Sequence, residues 1–103
     1  PELAAGWFFR AAEQGYADAQ FNLGLMYANG EGVEQDMSRA VELFKKAAEQ
    51  GHVDAQNNLG AMYFTGDGVT RDEKKAIEWF GKAAAQGNED AQANLDAIKA
   101  AGK

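Results

Sequence analysis

Few side chains in this sequence could carry covalent or metal chemistry. Across 103 residues there is one histidine, His52, one serine, Ser38, and no cysteine. Zinc and thiolate sites need several imidazole or sulfur ligands at set spacings, and acyl transfer needs a nucleophile beside a base that a third group orients. One His and one Ser supply neither set. His52 lies in the glycine-marked turn QGHVD, so it is expected to be a solvated turn residue and not a ligand or general base. The segments GEGV (30–33) and GDGV (66–69) lack the Gly-Lys-Ser/Thr that cradles a phosphate, and an acid sits in the middle of each. TGDGVTRDE (65–73) lacks the alternating Asp and Asn ligands of a calcium loop. Asp72 and Glu73 are adjacent carboxylates at an expected helix start, where they complement the helix dipole. No catalytic residue, metal or cofactor is expected.

What remains is the chemistry of recognition. Asn22, Asn58 and Asn94 recur at intervals of 36 residues. A side-chain amide donates and accepts together, so a ladder of three suits the alternating N–H and C=O groups of an extended peptide. The competing reading leaves these amides bonded to neighbouring helices or to the preceding turn. At spacings that keep them on the same side of their helices stand Asp18, Phe21, Leu25 and Asn29, then Asp54, Asn57, Ala61, Phe64 and Thr65, then Asp90, Ala93 and Ala97. Phe21 and Phe64 occupy positions where the other copy carries Asn57 and Ala28, so the repeat itself does not require them. They are candidate specificity residues, since aromatic anchors dominate many interfaces, or else they pack inward.

These side chains depend on a repeating pair of helices. Shifting the sequence by 36 positions aligns QGYADAQFNLGLMYANGEGV (14–33) with QGHVDAQNNLGAMYFTGDGV (50–69) without a gap. In the second half of each unit Ala40, Leu43, Phe44, Ala47 and Ala48, and again Ala76, Trp79, Phe80, Ala83 and Ala84, form one apolar stripe of a 3.6-residue period. Asp36 and Asp72 mark its start, and Gly51 and Gly87 its end. In the first half Ala19, Leu23, Met26 and Tyr27 line one face, matched by Ala55, Leu59, Met62 and Tyr63, with Gly30 and Gly66 as stops. The connections NGEGVEQ and TGDGVTR use paired glycines, and Val33 and Val69 are expected to pin them to the core. Gly24 and Gly60 lie inside the first helix at a cost of about 1 kcal/mol relative to alanine, which points to close helix approach. The alanine pairs of the second helix are the expected facing surface, with Trp and Phe filling the gaps between units. Glu42 with Lys46, and Glu78 with Lys82, read as i, i+4 ion pairs on solvated faces.

Residues 1–15 then form the second helix of a truncated unit, 16–51 and 52–87 are full repeats, and 88–103 is a cap resembling a first helix. Trp7, Phe8 and Phe9 belong to the truncated unit, and part of their surface is expected to be open for end-to-end association.

Composition narrows the partners. The formal charge of −6 disfavours nucleic acid and anionic membranes, which reward concentrated Lys and Arg. No apolar run approaches the roughly 20 residues that cross a bilayer, and PELAAGWFFRAAEQG lacks the basic start of a signal peptide. Absence of Cys leaves the compartment open between cytoplasm and periplasm or secretion.

LGLMYANGEGVEQDMSRAVELFKKAAEQG (23–51) and LGAMYFTGDGVTRDEKKAIEWFGKAAAQG (59–87) together resemble the Sel-one-like repeat family, SLR, a relative of the tetratricopeptide repeat. The resemblance covers essentially the whole chain. It implies an all-α fold, a right-handed α-α superhelix of antiparallel helix pairs, with first helices on the concave wall and second helices outside. It also implies a protein-binding adaptor or scaffold of bacterial type. Departures are Arg39 for the common Lys, Leu43 for the common Trp, and the lack of a second helix in the last unit. A solenoid encloses no cavity by default, so its extended wall is the expected recognition surface for a protein or peptide. The alternative is an assembly module that stacks through its ends.

Overall fold

The computed structural model describes residues 2–102, apart from the side chains of residues 2–5 and of Phe8. Among the described residues six helices follow one another: α1 (Glu2–Glu13), α2 (Ala17–Asn29), α3 (Met37–Glu49), α4 (Val53–Thr65), α5 (Glu73–Ala85) and α6 (Glu89–Ala101). Each packs on its neighbour in chain order, and the resulting all-α superhelical solenoid measures 47 × 24 × 17 Å. The elongation follows from the repeat, because a stacked unit buries its apolar face only against adjacent units.

Local chemistry sets the helix ends. The Asp36 and Asp72 carboxylates each accept a hydrogen bond from a backbone N–H three residues on, Arg39 and Lys75, at 3.1 Å. This satisfies donors that the first turn leaves orphaned. Gly30 and Gly66 end α2 and α4 in the left-handed region at φ 71° and 81°, with their N–H groups on the Met26 and Met62 carbonyls. After each such glycine the chain folds back so that the Asp36 N–H reaches the Tyr27 carbonyl at 2.9 Å and Asp72 reaches Tyr63 at 2.8 Å. Gln35 and Arg71, one residue earlier, donate from their side chains to the Ala28 and Phe64 carbonyls. Val33 and Val69 lie half-buried against the core, pinning the loops as their positions suggest.

The core is the two predicted stripes meeting. Leu23, Tyr27, Ala40, Phe44, Ala47, Leu59, Tyr63, Ala76, Phe80 and Ala83 are all buried. The internal glycines do mark a close approach, but alanines do not face them. A Cβ built at Gly24 would lie 2.8 Å from the Phe44 ring, and one at Gly60 would lie 2.8 Å from the Phe80 ring. Within each pair the ring of the second helix packs against the bare Cα of the first. The ring takes the room that a methyl would need. The paired charges also differ from expectation. Among the described residues neither Glu42–Lys46 nor Glu78–Lys82 forms an ion pair, and Lys82 instead lies 4.4 Å from the centroid of the Trp79 ring.

Gly60→Ala is expected to destabilise the chain by up to about 2 kcal/mol, because an overpacking cost of about 1–3 kcal/mol against Phe80 outweighs the gain of about 1 kcal/mol in helix propensity. Urea denaturation checks this, and a stabilised variant would show that the ring yields freely.

Candidate protein-binding face

The first helices, α2, α4 and α6, present the recurring polar side chains. Asp18, Asp54 and Asp90 are exposed in their first turns. One or two turns on, Phe21, Asn22 and Leu25, then Asn57, Asn58 and Phe64, then Asn94, are half-buried, while Asn29, Ala61, Thr65, Ala93 and Ala97 are exposed. The three recurring amides are not equivalent. Asn22 donates to the Asp18 carbonyl one turn back at 2.8 Å, and Asn94 donates across the unit boundary to the Asn57 Oδ1 at 3.3 Å. The Asn58 side chain makes no hydrogen bond among the described residues, and where Asn94 finds Asn57 across the unit boundary, Asn58 meets the position held by Phe21.

Phe21 and Phe64 both pack against the core. Phe21 stacks on the His52 ring with centroids 4.6 Å apart and meets Phe44 at 5.6 Å. Phe64 carries the Arg71 guanidinium 5.6 Å from its centroid. His52 is accordingly no solvated turn residue. Its side chain is 15% exposed, its Nδ1 accepts the Ala55 N–H at 3.1 Å as the N-cap of α4, and its Nε2 lies 3.0 Å from the Asp18 carboxylate. An imidazole that accepts at Nδ1 keeps its proton on Nε2, which then donates to Asp18. The ring thus ties the start of α4 to the start of α2. Sequence comparison within the repeat could have found it, because Asn88 caps α6 from the same position at 2.8 Å while Tyr16 makes no side-chain cap to α2.

A second set of residues escaped the pattern reading. Gln20 and Gln56 are buried, and each bridges three helices. Gln20 donates to the Ala12 carbonyl at the end of α1 and accepts from Gln50 just past α3 at 2.8 Å. Gln56 donates to the Ala48 carbonyl and accepts from Gln86 at 2.9 Å. The recurring DAQ triplet at 18–20, 54–56 and 90–92 carried the signal. A hydrophobic stripe does not register it, because the amide is polar yet buried. Gln92 is exposed and bonds only Asp96. These brackets fix the spacing of the exposed side chains along the stack.

Arg39 shows how the second helices grip the first. Its guanidinium lies 5.4 Å from the Tyr27 ring centroid and donates to the Tyr27 hydroxyl at 3.3 Å, a bond that pushes its pKa up from the ordinary value.

The 36-residue period coincides with that of a known family. The Sel1 repeat model matches residues 1–16, 17–52 and 53–88. The chain belongs to the Sel1 repeat family. Among solved structures, a Sel1 repeat protein from Oxalobacter formigenes is 42% identical with a TM-score of 0.89, over 91% of this chain and 39% of that one. A protective antigen of uropathogenic Escherichia coli displaying an SLR fold is 53% identical with a TM-score of 0.82, over 84% and 19%. Helicobacter pylori cysteine rich protein B is 32% identical with a TM-score of 0.84, over 88% and 68%. A curated relative, DAP3-binding cell death enhancer 1 of Rattus norvegicus, is 45% identical over 38 residues, 37% of this chain and 8% of that protein. The chain therefore spans 8% of the curated relative and 39%, 19% and 68% of the three solved chains. Sel1 repeat proteins are generally protein-interaction scaffolds. No described helix is long and apolar enough to cross a membrane.

Gln56→Ala, which removes the bond to the Ala48 carbonyl and the one from Gln86, should cost the Sel1 repeat stack about 1–3 kcal/mol in urea denaturation, the worth of two net hydrogen bonds. Gln92→Ala should stay within about 0.5 kcal/mol of the parent.

Proposed function

We propose that this chain is a non-catalytic protein-interaction module that takes an extended peptide segment along α2, α4 and α6. The observation that carries this reading is the Asn58 amide, half-buried at the middle of the repeat-spaced row and unspent within the described chain. An amide held there can both donate to and accept from a peptide backbone. The exposed carboxylates of Asp18, Asp54 and Asp90 flank the row, and with the formal charge of −6 they favour a neutral or basic segment. Phe21 and Phe64 add apolar surface at the edges of that row. Membership of a scaffold family supports the protein as ligand; the peptide and its path are our reading.

A second reading, self-association through α1, is favoured by Trp7 and Phe9, which are 74% and 41% exposed. Phe8, named with them from sequence, has its side chain outside the described residues. Concentration-dependent light scattering that Trp7→Ala abolishes would support it.

The principal test places photo-crosslinking benzoylphenylalanine at Ala61 and, as a control, at Ile77 on the second-helix wall. A segment selected from a peptide library should crosslink at position 61 and not at 77. Asn58→Ala should weaken its binding about three- to tenfold, the value of one or two net hydrogen bonds. Equal crosslinking at both positions with unchanged affinity in Asn58→Ala would refute the assignment.

A further inference from the structure

A cavity of about 240 Å³ opens on the opposite wall, between the second helices α1 and α3. Leu23 and Tyr27 of α2 line it together with Phe9 and Ala12 of α1 and Leu43 and Lys46 of α3. Its walls recur one unit later almost side chain for side chain: Leu59 for Leu23, Tyr63 for Tyr27, Ala48 for Ala12 and Lys82 for Lys46. The substantive changes are Trp79 where the cavity has Leu43, and Lys45 where it has Phe9. In the later unit the Trp79 indole is half-buried against the core, with the Lys82 ammonium 4.4 Å from its centroid. Leucine is smaller than tryptophan, and among the described residues the ammonium at the equivalent position, Lys46, lies over no aromatic ring.

We propose that this cavity receives an indole side chain supplied by a protein partner. The chain itself displays the occupant, since Trp79 shows which group these repeated walls accommodate and how the lysine caps it. The charges agree. Arg39 and Lys46 stand at the cavity with Glu13 and Glu42, two cations against two anions, so neither a free anion nor a free cation is preferred. A neutral, electron-rich ring gains apolar contact with Leu23, Leu43 and Phe9, and its face attracts the Lys46 ammonium. An aliphatic side chain would gain the first and not the second. The cavity lies on the second-helix wall and does not use Asn58 or the row of first-helix side chains, so it stands or falls apart from the peptide reading.

The test is a titration of the whole isotope-labelled chain with N-acetyl-tryptophanamide, followed by NMR. Saturable shifts are expected at Tyr27, Leu43 and Lys46, with at least two- to fivefold weaker binding of N-acetyl-leucinamide. Leu43→Trp, which rebuilds the Trp79 arrangement, should abolish those shifts. Lys46→Gln, which leaves the walls intact, should weaken the probe about two- to fivefold, the worth of an exposed cation–π contact. Shifts that survive Leu43→Trp, or equal binding of the leucine probe, would overturn the proposal. So would cavity shifts that follow protein concentration alone and vanish in Trp7→Ala, because the occupant would then be a second copy.

Discussion

The contact on which the stack depends is an aromatic ring packed against a glycine that carries no side chain. Phe44 on Gly24 and Phe80 on Gly60 let the two helices of a pair approach more closely than any side chain at the glycine would allow. The glycine weakens its own helix by about 1 kcal/mol, a loss that burial of a whole phenyl ring more than offsets. Because the same contact recurs at the same position of each unit, the pairs share one geometry. Identical pairs stacked at a fixed offset generate an extended wall of repeat-spaced side chains.

Between pairs the cement is different. Buried glutamines, not apolar contacts alone, connect one unit to the next, with Gln20 and Gln56 each taking a carbonyl from the preceding helix and an amide from the following turn. A buried amide with both ends satisfied tolerates little change in register, since a slip of one residue would strand a donor in an apolar setting. Among the described residues no buried side-chain nitrogen or oxygen lacks a partner. The fold is therefore held by an apolar contact within pairs and a polar bracket between them, leaving the outer side chains of both walls free to vary.

That freedom is visible where the units differ. His52 and Asn88 cap their helices by different atoms from equivalent positions, and Gln35 and Arg71 reach the equivalent carbonyls of Ala28 and Phe64 by different groups. Phe21 takes the place of Asn57, which removes the cross-unit amide partner that Asn58 would otherwise have. Leu43 takes the place of Trp79 in the lining of the cavity between α1 and α3. Recognition in a repeat array can arise in this way, by small departures from the repeat on an unchanged frame.

The period, the helix pairs, the capping Asp and Gly residues and most of the core could be read from the chain alone, because they rest on local spacing: an apolar residue every third or fourth position, an acid before it and a glycine after. Membership of a repeat family follows from the same regularities. Tertiary structure decided what touches across units, for which one-dimensional spacing holds no information. It put rings, not alanines, on Gly24 and Gly60, buried the polar Gln20 and Gln56, and drew His52 out of solvent to join Asp18 and Phe21. It also spent the amides of Asn22 and Asn94 inside the chain while leaving Asn58 open, since a hydrogen bond is settled by which groups meet in space and not by which residues recur.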